Sequence, residues 1–135
     1  MTEKEDTVFI SSTTAKRLIR DVKNLLKEPL TDHGIYYNHS QDDILKGYAL
    51  IIGPKDTVYE DGCYLFEFNF TASYPFSPPI VKFKTNNGYT RFNPNLYKNG
   101  KVCISLLNTW QGEQWSSCQN ISTILLNLVS LLNNY

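Results

Sequence analysis

The sequence has 135 residues, of which 41% are hydrophobic and 13% aromatic, and its formal net charge is zero. This length and composition are typical of one folded domain and exclude a long disordered chain. The balanced charge gives no general attraction to nucleic acid or to an anionic membrane, and no segment predicts a signal peptide or a membrane span. We therefore expect an intracellular protein, cytoplasmic, nuclear or both, with no nucleic-acid or membrane partner.

The first predicted element is an amphipathic helix that follows a flexible tail at residues 1–12. Apolar residues recur at steps of three and four, which places them on one helical stripe. They are Ala15, Leu18, Ile19, Val22, Leu25 and Leu26. A hydroxyl residue is predicted to cap the start, and Pro29 to end the helix after Glu28. The candidate caps are Ser12, Thr13 and Thr14.

Four basic residues fall outside that stripe, so the helix is predicted to show a basic face to solvent. They are Lys16, Arg17, Arg20 and Lys23. By itself, such a run of charges is typical of a solvated helix face.

Four strands are predicted next, at residues 35–37, 47–52, 64–70 and 80–84. In the third strand, aromatic residues occupy every second position from Tyr64 to Phe70, the period of a strand with one buried face. The connections are short, which favours an antiparallel meander because parallel neighbours need longer crossovers.

A long segment without periodicity, residues 85–119, precedes a second helix. Loops of this length in a compact domain are usually functional. The helix is predicted from a second apolar stripe, with Asn120 as its cap. The stripe consists of Ile121, Ile124, Leu125, Leu128, Val129 and Leu132. The predicted fold class is therefore α+β: a four-stranded antiparallel meander packed against an N-terminal helix and a helix after the long loop.

The chain has three cysteines, Cys63, Cys103 and Cys118, without the paired spacing of a metal site. In a reducing compartment they remain thiols, so one of them is available for chemistry. No metal and no organic cofactor is predicted.

Several segments, in one order along the chain, resemble the catalytic domain of ubiquitin-conjugating enzymes. They are KRLIR at residues 16–20, Gly53-Pro54 with Tyr59 and Gly62, YPFSPP at residues 74–79, FNPNLYKNGKVCISLL at residues 92–107, and Trp115. In that family a His-Pro-Asn triplet precedes the active-site cysteine. Here the triplet reads Asn93-Pro94-Asn95, and its last residue lies eight positions before Cys103.

The resemblance covers the chain from about residue 13 to its end and implies a catalytic domain at residues 13–135. The Asn-Pro-Asn form and the long stretch from Cys103 to Trp115 look like the branch of large conjugating proteins with divergent loops. Many family members continue into two further helices, which are not predicted here before the chain ends at Tyr135.

The resemblance implies three catalytic residues. Cys103 is identified as the nucleophile that carries ubiquitin or a ubiquitin-like modifier as a thioester. Asn95 matches an amide that stabilises the oxyanion of acyl transfer or braces the loop, and both roles can coexist. Ser105 matches a position that gates lysine access and is often acidic in the family. Asn93 replaces the usual histidine, which changes a hydrogen bond of the loop rather than the sulfur chemistry.

The resemblance also implies two protein partners besides the modifier. Phe76, Ser117 and Cys118 match the two loops that face ubiquitin ligases, whereas Phe76 as core filler is the structural alternative. Lys16, Arg17 and Arg20 match the surface that meets the activating enzyme, where ATP is consumed. For Cys63 and Cys118, the residue type by itself predicts a small apolar side chain that is buried or half-buried.

Two other functions compete with conjugation. A catalytically inactive protein of the same fold would serve as a scaffold for ubiquitin or a ligase. A cysteine hydrolase would require His33 or His39 as a base beside Cys103, whereas a thioester carrier benefits from having no such base.

We also predict a cis peptide bond between Tyr74 and Pro75.

Overall fold

The computed structural model describes residues 10–85, 95–97, 99–108 and 114–132. Two helices, α1 (Ser12–Lys27) and α2 (Ile121–Leu131), flank four strands in the chain. The strands are β1 (Ile35–His39), β2 (Lys46–Ile52), β3 (Cys63–Asn69) and β4 (Ile80–Phe83). They form one antiparallel sheet in chain order, so the predicted α+β meander is confirmed, with strand ends shifted by at most two residues.

One face of the sheet and both helices share a single hydrophobic core. Leu18 of α1, Phe66 and Phe68 of β3, and Ile124 and Leu128 of α2 are fully buried in it. The alternation predicted for the third strand is confirmed, because residues 66 and 68 are buried while their neighbours are partly exposed.

The start of α1 differs from the prediction by one residue. Ser11 is the cap, and its hydroxyl accepts a hydrogen bond from the Thr14 amide at 3.1 Å. Thr14 is buried and donates to the Ala72 carbonyl at 3.1 Å, so this hydroxyl joins α1 to the loop after β3. The helix ends at Lys27 with Glu28 as its C-terminal cap, one residue earlier than predicted, and Asn120 caps α2 as predicted.

The buried face of α1 is rotated relative to the predicted stripe. Ile19 and Leu26, assigned to the core from the apolar pattern, are 46% and 67% exposed. Their places are taken by Thr14 and Asp21, which are almost fully buried. The predicted stripe is right at Leu18 and Leu25, which are buried, and wrong at Ile19 and Leu26, because α1 buries polar groups that have partners in distant loops.

The Gly-Pro turn after β2 depends on a close approach of two backbone segments. The Gly53 amide donates to the Gly62 carbonyl at 2.8 Å. A Cβ atom at position 53 would lie 1.7 Å from the carbonyl oxygen of Tyr59, so only glycine fits without a backbone shift. In the described ranges, no helix has the length and apolar character that crossing a bilayer requires.

Candidate active site

Cys103 lies at the end of a short hairpin-like segment. The backbone pairs Leu96 with Val102, and the Tyr97 amide donates to the Lys101 carbonyl at 2.9 Å. The turn contains Gly100, whose φ of 95° favours glycine, and the Asn99 side chain accepts from the Lys101 amide. Because the Phe83 amide donates to the Gly100 carbonyl at 2.7 Å, this turn is fixed against β4.

Asn95 and Cys103 face each other across this segment and are joined twice. The Cys103 amide donates to the Asn95 carbonyl at 2.9 Å, and the Asn95 side-chain amide donates to the Cys103 carbonyl. The side chain of Asn95 therefore braces the backbone that carries the sulfur. This contact supports the structural role considered for Asn95, and the oxyanion role stays a prediction. Asn93 and Pro94 lie outside the described residues.

The sulfur-bearing residue is enclosed in the resting chain. Cys103 is 2% exposed, and its neighbours Val102 and Ile104 are also buried. Ser105 follows at the start of a 3-10 turn, Ser105–Leu107, and is partly exposed. The predicted gating position thus lies two residues after the buried cysteine and is more open to solvent.

The histidines give no support for a hydrolase. His39 has both ring nitrogens in contacts with other groups, the Tyr37 hydroxyl at 2.8 Å and the Ile44 carbonyl at 2.7 Å. His33 is exposed in the 3-10 turn before β1. Hydrolysis would need an imidazole within hydrogen-bond reach of the thiol.

The other two cysteines are exposed, so their predicted burial is wrong. Cys63 is the first residue of β3, where the strand emerges from the turn after β2. Cys118 lies in a surface turn before α2, closed by a 3.0 Å bond from the Gln119 amide to the Ser116 carbonyl. Among the described residues, no three histidine, cysteine or carboxylate side chains are grouped as metal ligands would be.

Phe76 projects from the proline-rich loop and is 74% exposed, so the core-filler alternative is wrong. The predicted cis bond between Tyr74 and Pro75 is confirmed. Tyr74, at the start of this loop, is buried, and the Trp115 indole donates a buried hydrogen bond to the Pro75 carbonyl at 2.8 Å. Ser117 and Cys118 follow two and three residues after that tryptophan and are both exposed.

The basic face of α1 includes Lys16 and Arg20 but excludes Arg17. Lys16 is exposed, and the side chain of Arg20 is 65% exposed. The Arg17 side chain is only 12% exposed and forms an ion pair with Asp21 at 3.0 Å. The prediction that Arg17 belongs to the solvent-facing surface is therefore wrong, because its guanidinium is used inside the chain.

The sequence interpretation missed a polar cluster of Arg17, Asp21 and Tyr74, in which Asp21 and Tyr74 are buried and Arg17 is partly exposed. The Tyr74 hydroxyl donates to Asp21 at 2.6 Å, and the Arg17 guanidinium lies over the Tyr74 ring, 5.6 Å from its centroid. Burial and the hydrogen bond to Asp21 raise the pKa of Tyr74 far above its ordinary value. The one local signal was the spacing of Arg17 and Asp21 by four residues, which allows a helical ion pair.

Comparison with known proteins agrees with this architecture. The family model described as "Ubiquitin-conjugating enzyme" matches residues 17–135. Human ubiquitin-conjugating enzyme E2 Z is 46% identical over 117 residues, which are 86% of this chain and 32% of that protein. The human dual E2 ubiquitin-conjugating enzyme/E3 ubiquitin-protein ligase BIRC6 is 39% identical over 131 residues, covering 90% of this chain and 3% of that protein.

A solved structure supports the same assignment at the level of the fold. Human ubiquitin-conjugating enzyme E2 G1 superposes with a TM-score of 0.78 and 32% identity, over 92% of this chain and 98% of that one. The chain spans about a third of the length of its E2 Z relatives. From the matched domain, the sheet and helices, and the extent of similarity, the chain belongs to the ubiquitin-conjugating enzyme family.

Proposed function

We propose that the chain accepts ubiquitin, or a ubiquitin-like modifier, from an activating enzyme as a thioester on Cys103 and transfers it to a lysine or to a ligase. The observation that carries this proposal is the pairing of Cys103 with Asn95 in the braced segment after β4. The segment lies within the part of the chain that matches the family model. The resemblance of its sequence to the family motif implies that Cys103 is the nucleophile.

The proposed reaction consists of two acyl transfers at one sulfur. The Cys103 thiolate attacks the acyl carbon of the modifier's thioester on the activating enzyme; a new C–S bond forms, the old C–S bond breaks, and the sulfur of the activating enzyme leaves as a thiolate. A neutral amine then attacks the same carbon, the C–N bond forms, the bond to the Cys103 sulfur breaks, and the amine proton passes to solvent or to the departing thiolate. Cysteine suits both steps because its thiolate is a good nucleophile and also a good leaving group.

Asn95 and Ser105 take different parts in the second transfer. The Asn95 amide keeps the Cys103 backbone in place and donates to the oxyanion that forms as the amine attacks. Ser105 occupies the access position without the carboxylate common in the family, so it orients the amine with a hydroxyl only.

The proposed partners meet two surfaces. Lys16 and Arg20 contact the activating enzyme through the basic face of α1, whereas Arg17 is reassigned to an internal role. Phe76, Ser117 and Cys118 contact a ligase, because an exposed aromatic residue on a fixed loop is suited to anchor a partner.

An inactive scaffold is the second candidate function, and the observation that favours it is the 2% exposure of Cys103. A sulfur that is enclosed in the resting chain must be uncovered before it can accept an acyl group. A scaffold of this fold would keep the ligase surface and form no adduct.

The test is incubation of the chain with activating enzyme, ATP and labelled ubiquitin, read on a non-reducing gel. We expect an ATP-dependent adduct that thiol reagents remove. Cys103→Ala should abolish it, and Cys103→Ser should give an oxyester that survives thiol reagents, because an alkoxide leaves less readily than a thiolate. Cys63→Ser, which changes an exposed thiol outside the site, is the matched control and should charge normally.

The same gel separates the two functions. A thiol-sensitive, ATP-dependent adduct in Cys103→Ala would show that another cysteine is the nucleophile. The absence of any adduct with the unchanged chain, under conditions in which an established conjugating enzyme charges, would favour the scaffold.

A further inference from the structure

One side chain of α1 contacts the turn that presents Ser117 and Cys118. The Arg17 guanidinium donates from Nη1 to the Ser117 carbonyl at 2.8 Å and from Nη2 to the Gln119 carbonyl at 2.5 Å. These two carbonyls lie on either side of Cys118 in the chain. The turn is therefore held at both ends by a single planar group, which is rigid and cannot lose its charge under ordinary conditions.

The same guanidinium is connected to the proline-rich loop through Asp21. Its Nε donates to both carboxylate oxygens of Asp21 at 3.0 Å, and one of these oxygens accepts the Tyr74 hydroxyl at 2.6 Å. Tyr74 lies two residues before Phe76. Asp21 is 5% exposed and its bond to Tyr74 is buried, so this charge-assisted bond is shielded from bulk water, where it is strong and geometrically specific. The two bonds from Arg17 to Asp21 are partly buried.

A second buried bond links the two loops directly. The Trp115 indole donates to the Pro75 carbonyl, and the rings of Tyr74 and Trp115 are 5.9 Å apart. The two loops that present Phe76, Ser117 and Cys118 are therefore joined to each other and to α1 by bonds at less exposed positions. By contrast, the exposed Arg20 on the same helix reaches Asp21 only at 4.0 Å.

We propose that Arg17 is a positioning residue for ligase docking, which fixes the turn carrying Ser117 and Cys118 relative to Phe76. This inference rests on the proposed function, in which those residues form the ligase surface. Arg17 itself does not touch the ligase. It keeps the two parts of the surface in their bound arrangement before the partner arrives, so that binding does not have to order them.

The expected effect follows from the cost of ordering side chains at an interface. Releasing one or two such groups should weaken ligase binding by roughly 3- to 10-fold. The change should appear in the ligase concentration required for half-maximal effect, and the discharge rate at saturating ligase should change much less. A general loss of folded chain would instead lower the discharge rate at saturating ligase and leave the half-maximal ligase concentration nearly unchanged.

Arg17→Lys is the first test variant. It keeps a cation beside the buried Asp21 carboxylate, but a compact ammonium group cannot reproduce the fork that reaches two carbonyls and a carboxylate. Lys27→Arg, a conservative exchange at an exposed position in the last turn of α1, is the matched control and should behave as the unchanged chain. The probe is a ubiquitin ligase chosen for saturable binding to the uncharged chain, so the titration does not depend on thioester formation.

Amide hydrogen exchange gives a readout that needs no partner. The Gln119 amide is protected by its bond to the Ser116 carbonyl, inside the turn that Arg17 holds. We expect Arg17→Lys to accelerate exchange there, whereas the amides of β2 and β3 keep their protection. If the lysine variant does not fold, the triple variant Arg17→Met, Asp21→Leu and Tyr74→Phe replaces the buried cluster by apolar groups, an exchange that is often neutral for stability. It should show the same weaker ligase binding.

The outcomes are distinguishable from those of the thioester gel. Weaker ligase binding with faster exchange at Gln119 supports the proposal whether or not the chain charges. Unchanged ligase affinity overturns it, and so does the failure of any ligase to bind. Slower charging with unchanged ligase affinity would return Arg17 to the activating-enzyme surface.

Discussion

The Cys103 segment and the two proposed ligase-facing loops are built in opposite ways. In the first, the functional side chain is enclosed and its support comes from Asn95, eight residues away in the sequence. In the second, Phe76 and Cys118 are exposed, and the support comes from residues 40 to 102 positions apart. The difference shows that the Cys103 backbone is braced mainly by its own segment, with a further bond to β4. The docking surface, by contrast, exists only after α1, the proline-rich loop and the turn before α2 have come together.

The largest effect that tests this comparison is expected from Asn95→Ala. The variant should still charge, but it should discharge its thioester to free lysine about 10²–10³-fold more slowly if the amide donates to the oxyanion. Single-turnover discharge of the preformed thioester measures this directly.

Asn99→Ala is the matched control for that variant. The Asn99 side chain accepts from the Lys101 amide in the same segment, so its removal also loses a bracing bond. Similar, small losses of discharge rate in both variants would mean that Asn95 only braces the backbone and that the oxyanion role is wrong.

A smaller effect is expected from Phe76→Ala. Loss of an interface anchor typically costs about 2 kcal/mol or more of binding, which is roughly a 30-fold change in affinity. Ligase-stimulated discharge at low ligase concentration should fall accordingly, while charging by the activating enzyme should remain. Stability should change little because the ring is 74% exposed.

Val58→Ala is the comparison for this exposed aromatic residue. Val58 is 81% exposed and lies in the turn region between β2 and β3, outside the proposed ligase loops. An equal loss of ligase stimulation in both variants, or normal stimulation of Phe76→Ala, would remove Phe76 from the docking surface.

The smallest effect concerns the support of the loops. Tyr74→Phe keeps the ring but removes the hydroxyl that donates to Asp21, and an impaired buried hydrogen-bond network costs about 1–3 kcal/mol of unfolding free energy. Denaturant unfolding measures the loss. Tyr36→Phe, at a tyrosine that is 51% exposed, should leave the unfolding free energy within about 0.5 kcal/mol of the unchanged value. Equal stability of Tyr74→Phe and the unchanged chain would mean that the cluster does not stabilise the loops.

The sequence was sufficient for the elements whose pattern is local. Alternating aromatic residues in β3 and the cap at Asn120 are each determined by neighbours within a few positions, and the structure agrees with both. Ile19 and Leu26 were assigned to the core although they lie on the exposed face of α1. The error arose because the helical spacing of apolar residues does not show which of them make tertiary contacts.

The low exposure of two charged residues in α1 could not be predicted from the local sequence pattern. Asp21 and Arg17 are ordinary solvent-facing types on a helix, and beyond their own ion pair it is Tyr74 and the carbonyls of residues 117 and 119 that make their removal from solvent favourable. Exposure of Cys63 and Cys118 was missed for the same reason. Residue type alone favours burial of a free cysteine, but both lie in surface turns or at a strand end.

The two exposed thiols have a practical consequence for work with this chain in air. Cys63 and Cys118 are open to oxidation and to alkylating reagents, whereas Cys103 is shielded, so surface modification should precede any reaction at the proposed nucleophile. Oxidation can join two chains through a surface disulfide, giving a species that reducing agents also remove. Such a dimer forms without ATP and contains no labelled ubiquitin, and these two properties distinguish it from a thioester.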